Sequence, residues 1–277
     1  MIAEIKDDFD LRRIHESGQC FRWEPIGEDS FRIPFRGRCL RIEKRGEHTY
    51  LLDCTEEEYT RIWKPYFDLD ENYACIRSMV DPREDPFLFH AVCAQTGIRI
   101  LRQDFWETLV SFIVSQNRNI PLIRRSVERL CRTAGERRID RAGEEFFTFP
   151  TAEAVLALTQ EELLTCALGY RWRFVRAAAE YVCRETLDAE IFRGVSDDEA
   201  LAQLQKICGV GVKVASCVAL FALHRTDAFP IDVWVRRVLQ NEYPQGYPFE
   251  KYRPYNGIFQ QYMFACYRSK ATPDSRI

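Results

Sequence analysis

The chain has 277 residues, a formal net charge of −3 and a pI near 5.9; 46% of its residues are hydrophobic and 29% charged. These proportions describe a globular protein of one large domain or two ordinary ones, and no run of about 18 apolar residues is present to cross a membrane. The charge balance by itself gives no sign of a nucleic-acid binder, and the acidic start MIAEIKDDFD lacks the apolar core of a secretion signal.

In chain order, the first recognisable elements are short strands at Cys20–Trp23, Ser30–Phe35, Cys39–Glu43 and Thr49–Leu52, separated by turn signals. They predict a small antiparallel sheet. Thr55 followed by Glu57 and Glu58 opens a helix. From Asp104 onward the pattern is almost entirely helical. Asp104, Asn119 (with Pro121 in the first turn), Thr151, Thr159 and Ser196 are the expected N-caps. The expected architecture is mostly α: an N-terminal α+β part over residues 1–98 with the antiparallel sheet, then a helical bundle over 99–277.

The eleven cysteines are odd in number, several lie in apolar runs (Cys93, Cys183, Cys217), and no two have C-x-x-C spacing. Reduced, buried thiols are the expectation, and neither a zinc site nor an iron–sulfur cluster. Four scattered histidines give little support to histidine-based catalysis. Eight arginines crowd residues 118–141, and Arg171, Arg173 and Arg176 follow. Arginine is the better phosphate clamp, but a solvated helix face reads the same way on charge alone.

The informative stretch is Leu204-Gln-Lys-Ile-Cys-Gly209-Val-Gly211-Val-Lys213-Val-Ala-Ser-Cys217. Gly209-Val210-Gly211 permits a tight turn between two helices. Val210 can plug the core while amides at the start of the second helix, from Val212, offer an anion site that in a DNA-binding protein would take a backbone phosphate; a plain helical hairpin is the alternative. The second helix is nearly all apolar, and Lys213 in its first turn is the only charge. The positive end of the helix dipole and burial both disfavour the ammonium there, which favours a nucleophilic amine. A lysine snorkelling to solvent is the plain alternative. Nineteen residues on, Phe229-Pro230-Ile231-Asp232-Val233-Trp234 places Asp232 as an N-cap. A carboxylate held by amides stays ionised and can stabilise an oxocarbenium-like transition state.

Together, L-x-x-I-C-G-V-G-x-K-V-A and F-P-I-D-V-W-V-R-R resemble the helix–hairpin–helix glycosylase superfamily, with Lys213 placed as in members that also cut the sugar. Three further segments resemble the 8-oxoguanine DNA glycosylase family: Ser17-Gly18-Gln19-Cys20-Phe21-Arg22-Trp23, Ser115-Gln116-Asn117-Arg118-Asn119 and Ala167-Leu168-Gly169-Tyr170-Arg171. A fourth, Tyr255-Asn-Gly257-Ile-Phe-Gln260-Gln-Tyr-Met-Phe264, resembles its pocket helix. The family often has proline where this chain has Cys208.

The resemblance implies a bifunctional glycosylase and abasic-site lyase acting on duplex DNA with an oxidised purine, with no cofactor required and with a monovalent cation at the hairpin carbonyls as a family feature; a monomer, cytoplasmic rather than nuclear and not secreted, is expected. Lys213 and Asp232 would be catalytic. Gly18 would accept from protonated N7 of 8-oxoguanine, Cys217 and Phe264 would stack on the base, Gln260 would read its Watson–Crick edge, and Pro230 would line the pocket. Asn117 would fill the gap left by the flipped base, Tyr170 would wedge beside the orphaned base and Arg171 would bond to it. Gly209, Val210, Gly211, Val212 and Trp234 complete the DNA contacts. Leu122 stands where relatives of the eukaryotic type carry an arginine for the opposite cytosine, so opposite-base preference is expected to be relaxed. Trp234 stands where many members have histidine. The remaining alternatives are a glycosylase for alkylated bases or formamidopyrimidines, and a non-catalytic hairpin protein that binds DNA.

Overall fold

The computed structural model describes residues 1–271, with side chains through Ser269. Five antiparallel strands form one sheet: β1 (Ile2–Glu4), β2 (Glu24–Gly27), β3 (Ser30–Phe35), β4 (Arg38–Lys44) and β5 (Thr49–Leu52), in the order β1-β5-β4-β3-β2. Phe31 pairs with Ile42 and Ile33 with Leu40, so one face carries apolar side chains in register. That face packs with Trp23, Trp63, Tyr66 and Phe67 into the smaller of two cores.

Two sequence expectations change here. Cys20–Trp23 is not a strand; β2 starts at Glu24. Residues 19–23 are all buried, because the segment threads between two cores rather than lying on one sheet face. Phe21 enters the larger core, whereas Cys20 and Trp23 enter the smaller. The second half is also not wholly helical. A hairpin of β6 (Arg137–Ile139) and β7 (Glu145–Phe147) interrupts it. The Asp140 carboxylate in its turn accepts from Arg32 at 2.9 Å and Arg41 at 3.1 Å, which ties the hairpin to the N-terminal sheet.

The larger core is built from helices, including Tyr73–Ser78 and Pro86–Ala94 from the N-terminal third. The expected caps are in place. Asp104, Asn119, Thr151, Thr159 and Ser196 each accept a backbone N–H in the first turn, and Thr55, Thr159 and Ser196 form full capping boxes. Helices Phe105–Val114 and Val212–Phe221 pack side by side, and Val233–Glu242 packs on Asn256–Ala271. These two pairs carry the residues discussed next. Among the described residues no helix is long and apolar enough to cross a membrane.

Candidate active site and DNA interface

The hairpin takes the shape its glycines require. Gly209 has φ +85, and a Cβ there would lie 2.4 Å from Phe174 Cγ. Val210 is buried, while Gly211 and Val212 are exposed. Gly211 is the N-cap of Val212–Phe221 and offers no side-chain acceptor, so the first-turn amides face outward. Gly209→Ala is therefore expected to destabilise the fold by roughly 3 kcal/mol through strain and overlap. Gly211→Ala, with φ −90 and open space around its Cβ, is expected to stay within about 0.5 kcal/mol of wild type. Thermal denaturation of both variants checks the contrast.

Lys213 is half-buried in the first turn of that helix. Its Nζ lies 3.5 Å from Ser115 Oγ and 5.1 Å from the centre of the Phe112 ring. Ser115 and Phe112 belong to the neighbouring helix end, and no sequence signal assigned them to the lysine's surroundings. Cys217, one turn on, is buried. Burial pushes its thiol up; Lys213, as a nearby charge and hydrogen-bond partner, pulls it down, and Asp232 pushes it up again. Lys213 and Asp232 thus bear on the same thiol, yet they form no ion pair with each other among the described residues.

Asp232 caps Val233–Glu242 as expected. Its Oδ1 accepts from the Trp234 amide at 2.9 Å and the Val235 amide at 2.8 Å. Oδ2 has no protein donor among the described residues. Pro230 is buried, and its carbonyl accepts from Gln260 Nε2 at 3.0 Å, which fixes the loop before Asp232 to the C-terminal helix. Gln260 is itself buried and its Oε1 accepts from Gln261.

Gly18 and Phe264 meet across the chain. Gly18 has φ +77, and a Cβ there would lie 3.3 Å from Phe264 Cε1. Arg268 strengthens this junction. It donates to the Glu16 carbonyl at 2.9 Å, and its guanidinium lies 5.9 Å from the Phe264 ring centre. No motif in the sequence singles out Arg268, because both of these partners are packing contacts.

The DNA-facing candidates divide. Tyr170 is 52% exposed, with its hydroxyl 3.5 Å from Asn117 Nδ2. Arg171 is not at the surface. It is 5% exposed, its guanidinium lies under the Tyr170 ring, and Nε donates to the Gln116 carbonyl at 2.8 Å. Trp234 is half-buried beneath Arg237, and Leu122 is exposed. Four of the eight arginines of residues 118–141 pair with acids: Arg132 with Glu128, Arg137 with Glu145, Arg138 with Glu136 and Arg141 with Glu58. Arg125, Arg173, Lys206, Arg236 and Arg237 have no acidic partner among the described residues.

Residues 1–109 match the family model for the N-terminal domain of 8-oxoguanine DNA glycosylase, and residues 110–244 match that of the HhH-GPD superfamily of base excision DNA repair proteins. The structure also superposes on MBOgg1, solved with a low-affinity DNA ligand, with TM-score 0.91, 35% identity and coverage of 98% of this chain and 96% of that one. The chain belongs to the 8-oxoguanine DNA glycosylase family. The 8-oxoguanine glycosylase/lyase of Clostridium acetobutylicum, bound to double-stranded DNA with cytosine opposite the lesion, is similar over 98% of this chain and 99% of its own. That likeness has TM-score 0.88 and 31% identity. The probable N-glycosylase/DNA lyase of Methanothermobacter thermautotrophicus is 28% identical over 270 residues, covering 86% of this chain and 83% of that protein. All eleven cysteines are free, and among the described residues no group of His, Cys, Asp and Glu is arranged to hold a metal.

Proposed function

We propose that this chain excises 8-oxoguanine from duplex DNA and then cuts the strand, with Lys213 as nucleophile and Asp232 as the charge that stabilises the sugar cation. The observation that carries this reading is that Lys213 is half-buried in the first turn after the hairpin with its Nζ 3.5 Å from Ser115 Oγ, Asp232 is fixed by two amides through Oδ1, and the two form no ion pair with each other among the described residues. A salt bridge would occupy both groups; without one, the amine is left to attack the sugar and the carboxylate to offset its charge.

Phosphates dock on the amides of the Gly211–Val212 turn and beside the cations without acidic partners. The lesion then leaves the stack, with Asn117 and Tyr170 filling the space. The base lies between Cys217 and Phe264, its protonated N7 donating to the Gly18 carbonyl; unmodified guanine has only an acceptor there. Lys213 Nζ, as the neutral amine, attacks C1′ as the C1′–N9 bond breaks and the base leaves with a proton. The sugar ring opens to a protonated Schiff base, a C2′ proton is lost, and the C3′–O3′ bond breaks. The Asp232 charge offsets the positive charge that develops on the sugar in the first step.

Leu122 puts an apolar side chain where a cytosine-reading guanidinium would lie, so excision is expected to proceed opposite adenine at a rate within about fivefold of that opposite cytosine. One missing guanidinium contact is worth roughly 1–3 kcal/mol of discrimination. Single-turnover excision from duplexes with each of the four bases opposite 8-oxoguanine tests both substrate and preference. No excision opposite any base would overturn the substrate, and strict dependence on cytosine would overturn the role of Leu122.

A further inference from the structure

Asn117 and Tyr170 stand on separate loops, and neither backbone is relaxed. Asn117 has φ 51 and Ala167 φ 58, in the left-handed region that is costly for residues with a Cβ. Each loop is held by an arginine of the other. Arg118, beside Asn117, donates Nη2 to the Ala167 carbonyl at 2.6 Å and Nη1 to Ser126 Oγ at 2.6 Å. Ser126 Oγ donates to the same Ala167 carbonyl at 3.0 Å. In return Arg171, beside Tyr170, donates through Nε and Nη2 to the Gln116 carbonyl and reaches the Asn117 carbonyl at 3.4 Å.

The two guanidiniums flank one residue. A Cβ on Gly169 would lie 3.6 Å from Arg118 Nη2 and 3.6 Å from Arg171 Nη1. Burial, and then the neighbouring Arg171 charge, hold Arg118 below the usual arginine range. Two cations this close repel; the carbonyls of the opposite loops offset that repulsion and hold both in place. The outcome is that Asn117 Nδ2 lies 3.5 Å from the exposed Tyr170 hydroxyl.

We infer that Arg118 and Arg171 form a reciprocal latch that assembles Asn117 and Tyr170 into one two-pronged wedge before DNA arrives, which makes Arg118 a positioning residue for base extrusion. The inference rests on the glycosylase reading above. Extrusion costs a few kcal/mol of unstacking, and a wedge ordered in advance adds no loop-ordering cost to it. The latch also gives Arg171 an inward task, since its donors meet carbonyls of the Asn117 loop.

The test uses the full chain with Arg118→Ala and Arg118→Lys. Extrusion is followed by 2-aminopurine fluorescence beside the lesion, and excision by single-turnover kinetics on the same 8-oxoguanine duplex. A second reaction, strand cleavage at a preformed abasic site in single-stranded DNA, needs no extrusion. Arg118→Ala is expected to slow extrusion and duplex excision about tenfold while single-strand cleavage stays within about twofold of wild type. Arg118→Lys, an ammonium in place of the planar fork, should fall between. Wild-type extrusion in Arg118→Ala would overturn the latch. Equal slowing of duplex and single-strand reactions would also overturn it, by assigning Arg118 to the fold at large. A wild-type chain that extrudes the base but excises none fails the substrate reading instead, and the fluorescence comparison still decides the latch.

Discussion

Replacing Lys213 with glutamine is expected to lower single-turnover release of 8-oxoguanine by about 10⁴-fold or more, while DNA binding and thermal stability stay close to wild type. A glutamine amide has no lone pair basic enough to attack C1′. The interactions that the ammonium makes in the free protein are weak ones: a 3.5 Å approach to Ser115 Oγ and a cation–π interaction with Phe112 at 5.1 Å. Half-burial of the side chain lets the shorter, neutral glutamine sit without a stranded charge. Excision kinetics, binding to an uncleavable duplex and a melting curve separate chemistry from folding. A residual rate within about tenfold of wild type would mean that water, not Lys213, is the nucleophile.

The second large effect is expected at Asp232, where two roles can be separated. Its Oδ1 caps the Val233–Glu242 helix, and in the proposed reaction its charge offsets that of the sugar. Asparagine accepts the same two amide hydrogen bonds and is an equally good cap, so Asp232→Asn removes the charge alone. Excision is expected to fall by about 10²–10³-fold with less than about 0.5 kcal/mol lost in stability. Asp232→Ala removes both, and is expected to add a stability loss of about 1 kcal/mol. Near-wild-type excision by Asp232→Asn would show that the carboxylate only holds the helix.

The parts of this protein legible in the sequence are those whose causes are local. Ser30–Phe35 and Thr49–Leu52 alternate over a half-buried sheet, and the strands lie at those residues. Asp104, Thr159, Ser196 and Asp232 are N-caps whose acceptor reaches an amide two or three residues on, so a short window of sequence suffices. The hairpin, with Val210 inward, is legible for the same reason, whereas Val212, which opens an apolar helix expected to be buried, is exposed because the turn leaves it on the outer side.

What escaped depends on partners far along the chain. Cys20–Trp23 has strand composition, but its burial on all sides is set by two cores assembled from distant segments. The β6–β7 hairpin has strands of three residues, too short for a period to register, and is held through Asp140 by arginines about 100 residues earlier. The arginine-rich stretch read as a cationic face, yet acids such as Glu58 and Glu145 engage part of it. Arg171 turns inward to a carbonyl 55 residues away, and neither motif spacing nor charge could say so.

The most direct test is borohydride reduction during reaction with an 8-oxoguanine duplex, followed by tryptic mapping of the covalent adduct. The chain has seven lysines, and reduction onto Lys213 blocks cleavage there, which leaves DNA-linked Ile207–Arg225 as the modified peptide. The proposed chemistry predicts that single adduct, absent in Lys213→Gln. Base release with no trapped adduct, or an adduct on any other amine, would contradict it.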